Sequence, residues 1–248
     1  MDQGILSVEV RRRPAVNISS APASRRALPG NAASVRISTL NLWLLECGLA
    51  ASLLYAAMNV VVPMFDVNYS CVTQTVSELS AIDAPTRPLW AALASIYTLF
   101  FVLFGWGVWR SASGNRALRV VASLFIFCGL FGIFWPPMHL RGETTTLTDT
   151  LHIAWTAAWG LLTMLAMGFS AFAFGKNFRW FSLVSIVLLL GFGAMTSLEA
   201  PNITKNLPTP TIGVWERLNI GVFLVWLAVL AIVLLRRQGA LPKGSKRK

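Results

Sequence analysis

The sequence contains few charged residues. Only 12% of its 248 residues are Asp, Glu, Lys or Arg, whereas about 25% is usual in soluble domains. Apolar residues make up 55% of the chain, and the mean hydropathy is +0.62. This composition is not that of a soluble domain, so we expect most of the chain to be embedded in lipid.

Histidine and cysteine are also scarce, which limits the metal chemistry available to the chain. The three cysteines, Cys47, Cys71 and Cys128, form no CxxC pair, so the sequence contains neither a disulfide framework nor a cysteine metal motif. The two histidines, His139 and His152, supply a three-ligand zinc site only if carboxylates complete it.

Two further patterns are missing, alternating strands and internal repeats. Without segments of alternating polarity the chain is not a transmembrane barrel, and without a repeat it lacks the symmetry of many secondary transporters. Six apolar runs of roughly 18 to 25 residues are long enough to cross a membrane as helices. They cover residues 42–62, 89–109, 117–138, 150–174, 180–198 and 214–235. The predicted fold class is therefore all-α, a polytopic membrane protein with six transmembrane helices.

Basic residues are distributed unevenly between the two sides of these helices. With both termini inside, all but four of the 21 Lys and Arg residues fall on the cytoplasmic side, and the exceptions are Arg87, Arg141, Lys205 and Arg217. This distribution satisfies the positive-inside rule and predicts an N-in, C-in protein of the cell (plasma or inner) membrane. We expect the basic segments to contact anionic membrane lipids. Nucleic acid is not an expected partner, since these segments lack interleaved aromatic residues.

The apolar runs divide the chain into three parts. Residues 1–41 are rich in Ser, Ala, Pro and Arg without periodicity, which predicts a disordered basic cytoplasmic arm. Residues 42–235 form the six-helix transmembrane domain, and residues 236–248 form a basic cytoplasmic tail. The outer connections are longer than the inner ones, so we expect function on the outer side.

The first outer connection contains a helix-capping signature. Thr75-Val76-Ser77-Glu78 has the form of a capping box, in which the Thr and Glu side chains satisfy backbone donors at the start of a helix. This predicts a short surface helix over about residues 76–82. Alternatively, Glu78 is a ligand or a catalytic acid or base directed at the outer end of the bundle.

The second outer connection contains both histidines. Two prolines before His139 predict the end of the third helix, because proline cannot continue its hydrogen bonds. Asp149 then either caps the fourth helix or, if Thr148 is the cap, shares a helix face with His152. In the second case His139, Asp149 and His152 are candidate ligands of zinc or another divalent metal.

The start of the sixth helix contains two candidate ligand-binding residues, Glu216 and Arg217. The helix N-terminus favours the carboxylate and disfavours the guanidinium. We therefore expect Arg217 to pair with a carboxylate from another connection, or to hold an anionic headgroup.

Four short motifs together resemble one family. They are Thr73–Ser80, Pro136-Pro137-Met138-His139, Asp149-Thr150-Leu151-His152 and Trp215-Glu216-Arg217. This combination resembles a prokaryotic family of six-helix membrane proteins catalogued as domain of unknown function 998. The resemblance covers residues 42–235. It implies a six-helix fold and a membrane location, and it implies no activity.

A weaker likeness concerns membrane-embedded metal hydrolases. Ser77, His139, Asp149 and His152 are similar to the serine, histidines and aspartate of alkaline ceramidases and adiponectin-type receptors. Those families have seven helices and three zinc histidines, whereas this chain has six predicted helices and two histidines. A matching zinc triad therefore needs a carboxylate in place of one imidazole.

Two functions are compatible with these residues. The favoured one is binding, transport or an accessory role on a lipid or small-molecule ligand. The alternative is a metal-dependent hydrolase at the outer leaflet, in which a metal lowers the pKa of a bound water and Glu78, Asp149 and His152 are catalytic. Sequence alone leaves open whether the protein is an enzyme.

Overall fold

The computed structural model describes Met1 and residues 39–239, and it contains no β-strand within them. The predicted arm, residues 1–41, lies outside the described residues except for Met1 and residues 39–41. The predicted tail, residues 236–248, lies outside them from residue 240 onward.

Six long helices account for most of the described chain. They are α1 (Thr39–Val61), α2 (Arg87–Ser111), α3 (Arg116–Ile133), α4 (Leu147–Ala173), α5 (Lys176–Glu199) and α7 (Ile212–Arg237). All six are long and apolar enough to cross a membrane, which confirms the all-α class and shows a multi-pass membrane protein. Three short elements complete the fold, namely the helix α6 (Pro201–Thr204) and the 3-10 helices Val62–Phe65 and Val76–Ser80.

The long helices form a closed ring. Each packs against its neighbours in the chain, and α7 packs against both α5 and α1. Buried aromatic side chains fill the centre, where the ring centroids of Phe101 and Phe125 are 5.2 Å apart and those of Phe125 and Trp226 are 6.1 Å apart. Gly107 brings α2 close to α1, since a Cβ there would lie 2.9 Å from the Cβ of Leu44. Such small residues permit close helix packing in lipid, where burial alone provides little driving force.

The two ends of the ring differ. The connections 66–86, 134–146 and 200–211 meet at one end, which we call the long-loop end. The connections 112–115 and 174–175 lie at the opposite, short-connection end. There the start of α1 meets the end of α2, because Asn41 donates to Ser111 over 3.0 Å.

One predicted boundary differs clearly from the structure. The third apolar run was expected to stay helical to residue 138, but α3 ends at Ile133. The residue before a proline disfavours helical backbone, and proline itself has no amide hydrogen to donate. Pro136 and Pro137 therefore disfavour helical backbone in the residues before them. The segment 135–140, which contains His139, is irregular.

Candidate functional site

Arg141 joins all three connections of the long-loop end. Its guanidinium donates to both carboxylate oxygens of Glu78, over 3.1 and 3.2 Å. It also donates to the Thr209 hydroxyl over 2.7 Å and to the Thr73 carbonyl over 3.1 Å. No role was predicted for this residue from the sequence. The only signal was its position, as one of the few basic residues on the side where acidic residues prevail.

Glu78 closes the predicted capping box. It accepts from the Thr75 amide over 2.7 Å, while the Thr75 hydroxyl accepts from the Glu78 amide over 3.3 Å. The short helix is a 3-10 helix, Val76–Ser80. Only 2% of Glu78 is exposed, and both of its oxygens are engaged. These contacts give Glu78 a structural role, whereas its predicted acid or base role stays a prediction.

Asp149 organises the start of α4. Neither alternative for the cap was right, because Thr146 is the N-cap and Asp149 occupies the third helical position of a second capping box. Asp149 accepts from the Thr146 amide over 2.8 Å and the Thr146 hydroxyl over 3.0 Å. It also accepts from the His139 amide over 2.7 Å and lies 2.9 Å from its Nδ1. A carboxylate held by four donors, and 8% exposed, is well suited to orient an imidazole.

The partner of His139 Nδ1 defines the orientation of that ring. Because a carboxylate accepts, Nδ1 carries the hydrogen, and Nε2 bears a lone pair when the imidazole is neutral. The side chain is 23% exposed. His139 Nε2 is therefore an oriented hydrogen-bond acceptor at the surface of the long-loop end.

His152 faces the interior instead. Its Nδ1 lies 2.7 Å from the Pro136 carbonyl oxygen, and its Nε2 lies 3.1 Å from the Ser77 hydroxyl. A carbonyl can only accept, so Nδ1 is the donor and the neutral ring presents the Nε2 lone pair to Ser77. The residue is 6% exposed. This pairing joins α4 to the first connection and places a potential nucleophile beside a base.

The predicted metal ligands do not fit a metal. Four donors occupy the oxygens of Asp149, and both ring nitrogens of His152 have protein partners. Between residues 39 and 239, no group of three or more His, Cys, Asp or Glu side chains could hold a metal ion. The structure therefore does not bring His139, Asp149 and His152 together as a zinc or other divalent site.

Glu216 supports the turn that carries Ser77. Its carboxylate accepts from the Val76 amide, the first of the 3-10 helix, and lies 3.4 Å from the Ser77 hydroxyl. A free amide at the start of a helix needs such an acceptor. Glu216, predicted as a ligand-binding residue, thus contacts backbone and Ser77 within the protein.

The carboxylate partner predicted for Arg217 is absent among the described residues, whereas the alternative, an anionic headgroup, stays a prediction. Arg217 donates to the carbonyls of Cys71 over 2.9 Å and Gly213 over 3.1 Å, and to the Tyr69 hydroxyl over 2.7 Å. Burial raises the pKa of the Tyr69 phenol above its ordinary value, so at neutral pH it accepts from Arg217 while donating to the Thr75 carbonyl. Carbonyls and a phenol replace the expected carboxylate.

Comparison with known proteins identifies the family. The family described as Protein of unknown function (DUF998) matches residues 49–233, which confirms the resemblance seen in the motifs. The chain belongs to this family. No curated protein and no solved structure matches it.

Proposed function

We propose that this member of the DUF998 family binds the hydroxyl-bearing headgroup of a lipid, or a small molecule of the same chemistry, at its long-loop end. The proposal places the protein in the cell membrane with both termini in the cytoplasm and this end outside. The uneven distribution of Lys and Arg supports that orientation, because cytoplasmic loops are enriched in basic residues.

The observation that carries the proposal is the free nitrogen of His139. No described residue is hydrogen-bonded to Nε2, although Asp149 holds the ring through Nδ1 and the main-chain amide. An oriented acceptor with a partly exposed side chain is suited to receive the hydrogen of a ligand hydroxyl.

The surroundings of His139 favour a lipid as the source of that hydroxyl. Phe134 and Leu147, on either side of it in the chain, are strongly exposed apolar residues at the two helix ends that flank this connection. Apolar side chains exposed at the ends of membrane-spanning helices are adjacent to acyl chains, while the imidazole faces water. A ligand with an apolar body and a polar head can contact both the apolar side chains and the imidazole.

The contacts of Arg141 favour binding over transport. Its donors to Glu78, Thr73 and Thr209 link the three connections across this end, and breaking a buried ion pair is costly. A substrate path through the ring must open these contacts in each cycle, whereas a binding surface leaves them intact. The metal-dependent hydrolase has no support from the residues present, because they do not fit a metal.

Two matched lipids test this function. Short-chain phosphatidylglycerol and phosphatidylethanol have the same charge, and only the first has hydroxyls on its headgroup. We expect the purified full chain in detergent to bind phosphatidylglycerol about fivefold more tightly, as one net hydrogen bond of about 1 kcal/mol requires. His139→Ala should remove the difference, whereas Thr145→Ala, an exposed position in the same connection, should retain it.

Equal affinity of the wild-type protein for the two lipids would overturn the proposal. Glycerophosphoglycerol, the headgroup without acyl chains, distinguishes the two sources of the ligand. Binding of this molecule as tight as that of the lipid would show that the ligand is a free polar molecule.

A further inference from the structure

We infer that the long-loop end also contains a metal-independent acyl-transfer centre, in which Ser77 is the nucleophile and His152 the general base. The inference rests on the proposed function, because the ester that reacts belongs to the lipid bound there. Neither the family description nor the binding role assigns a reaction to these residues.

The direction of the imidazole supports the role of His152 as a base. Ser77 Oγ and His152 Nε2 are 3.1 Å apart, within the range for a nucleophile and its base. Packing alone is compatible with either tautomer of the ring. The Pro136 carbonyl, 2.7 Å from Nδ1, selects the tautomer whose lone pair points at Ser77. In a serine triad a carboxylate has this orienting role, and here a backbone carbonyl has it.

The turn that carries Ser77 is held from several sides. Glu216 accepts from the preceding amide, of Val76, and Glu78 of the following position closes the capping box with Thr75. Arg141 in turn holds Glu78. Preorganisation of this kind keeps a nucleophile in reacting geometry. Glu216 is thus a positioning residue for the turn. Its carboxylate also lies 3.4 Å from Ser77 Oγ, farther than His152 Nε2 at 3.1 Å, and is a second acceptor for the hydroxyl hydrogen.

The two partners differ in exposure. Ser77 is partly exposed, which leaves the residue that carries the nucleophile open to the surface. His152 is 6% exposed and lies edge-on to Trp135, with ring centroids 5.8 Å apart. The nucleophile therefore faces the surface while its base is shielded from bulk water.

The reaction uses the ester and water alone. Ser77 Oγ attacks the ester carbonyl carbon, and its proton moves to His152 Nε2. The bond between the carbonyl carbon and the alcohol oxygen breaks, the proton passes to that oxygen, and the alcohol leaves. Water then attacks the acyl-serine and gives one proton to His152, which returns it to Ser77 Oγ as the carboxylic acid is released. The substrate class is the acyl ester of a membrane lipid, whose carbonyls lie at the depth where the helices end.

A fluorophosphonate tests the nucleophile directly. Attack by Ser77 expels fluoride and leaves a stable phosphonyl adduct, which peptide mass spectrometry locates. We expect the adduct on Ser77 of the purified full chain in detergent, no adduct at this position in Ser77→Ala, and labelling at least 100-fold slower in His152→Gln. Ser95→Ala, an exposed serine whose hydroxyl bonds to the Ala91 carbonyl within α2, should label at the wild-type rate.

A cysteine variant provides a second test that does not depend on whether Ser77→Ala folds. Ser77→Cys in a Cys71→Ser background removes the exposed native thiol and keeps a hydrogen-bonding group beside His152. We expect iodoacetamide to alkylate Cys at this position at neutral pH, and added His152→Gln to slow alkylation at least tenfold. A monodisperse protein of unchanged helical content without the Ser77 adduct, or with labelling and alkylation independent of His152, would overturn the inference.

The lipid-binding test and the labelling test fail separately. Headgroup discrimination without a Ser77 adduct would refute the catalytic centre and leave the binding role standing. An adduct that depends on His152, without headgroup discrimination, would refute the binding role of His139, since the fluorophosphonate probe has no headgroup to bind.

Discussion

The two ends of the helix ring are held together by different kinds of contact. At the long-loop end, side-chain bonds join residues far apart in the chain, such as Arg141 to Glu78 over 63 positions and Val76 to Glu216 over 140. At the short-connection end, caps such as Asn115 on Leu118 are local. Distant residues are joined there by isolated bonds, from Asn41 to Ser111 and from Arg237 to the Ala173 carbonyl over 3.3 Å, and not by a network that links several connections.

This difference shows how a membrane protein separates a binding surface from its helical support. Short connections need little besides helix caps, because adjacent helices are already held close. Long connections pack over one another and bury polar groups such as Glu78, and a buried polar group without a partner costs free energy. Substitutions that break polar contacts should therefore cost more at the long-loop end than at the short-connection end.

The largest effect is expected from Arg141→Met. Loss of the guanidinium leaves the Glu78 carboxylate buried without its partner, which we expect to lower the free energy of unfolding by about 3–5 kcal/mol. Equilibrium unfolding in one detergent measures the change, and Lys205→Met, exposed in the third connection, is the control. Adding Glu78→Gln to Arg141→Met should recover part of the loss. If Arg141→Met alone were as stable as Lys205→Met, the stability of this end would not depend on the ion pair.

Gly213→Ala should have the second largest effect. A Cβ at this position would collide with the backbone carbonyl oxygens of Gln74 and Cys71, so α7 and the first connection must move apart. We expect a loss of about 1–3 kcal/mol by the same measurement. Gly221→Ala on the same helix meets open space and should not destabilise. Equal stabilities of the two variants would contradict the close packing inferred here.

Helix caps allow a more direct comparison of the two ends. Thr146 caps α4 at the long-loop end and Asn115 caps α3 at the opposite end. We expect Thr146→Ala to cost about 1–2 kcal/mol, because Asp149 also loses the hydroxyl donor, and Asn115→Ala to cost about 0.5–1 kcal/mol. If Asn115→Ala proved the more damaging, the proposed difference between the ends would be reversed.

The smallest effect is expected from Arg237→Ala. Its guanidinium lies 4.1 Å from the centroid of the Phe174 ring, but the residue is exposed. An exposed cation–π contact contributes about 0.5–1 kcal/mol. The neighbouring exposed Arg236→Ala is the matched control. A loss above that of Thr146→Ala would mean that the short-connection end holds the ring together as strongly as the long-loop end.

Several features of the fold follow from sequence because they are local. The six spans depend on the length and polarity of continuous segments, and the match to the family covers one continuous stretch, residues 49–233. The capping box of Thr75 and Glu78 joins residues three positions apart. Two expectations about local structure were nevertheless wrong. The helix α3 ends before its prolines, and the N-cap of α4 is Thr146 and not Thr148 or Asp149.

The candidate site, by contrast, was decided by tertiary structure. Hydrophobic periodicity and capping motifs describe neighbours within about one helical turn, whereas Ser77 and His152 are 75 positions apart. Their contact depends on how the ring closes and on where the Pro136 carbonyl is placed by the end of α3. The sequence by itself determined which segments are helical and that polar residues gather on one side. Only the tertiary structure decided which of them pair, because pairing requires positions in space that spacing along a chain does not specify.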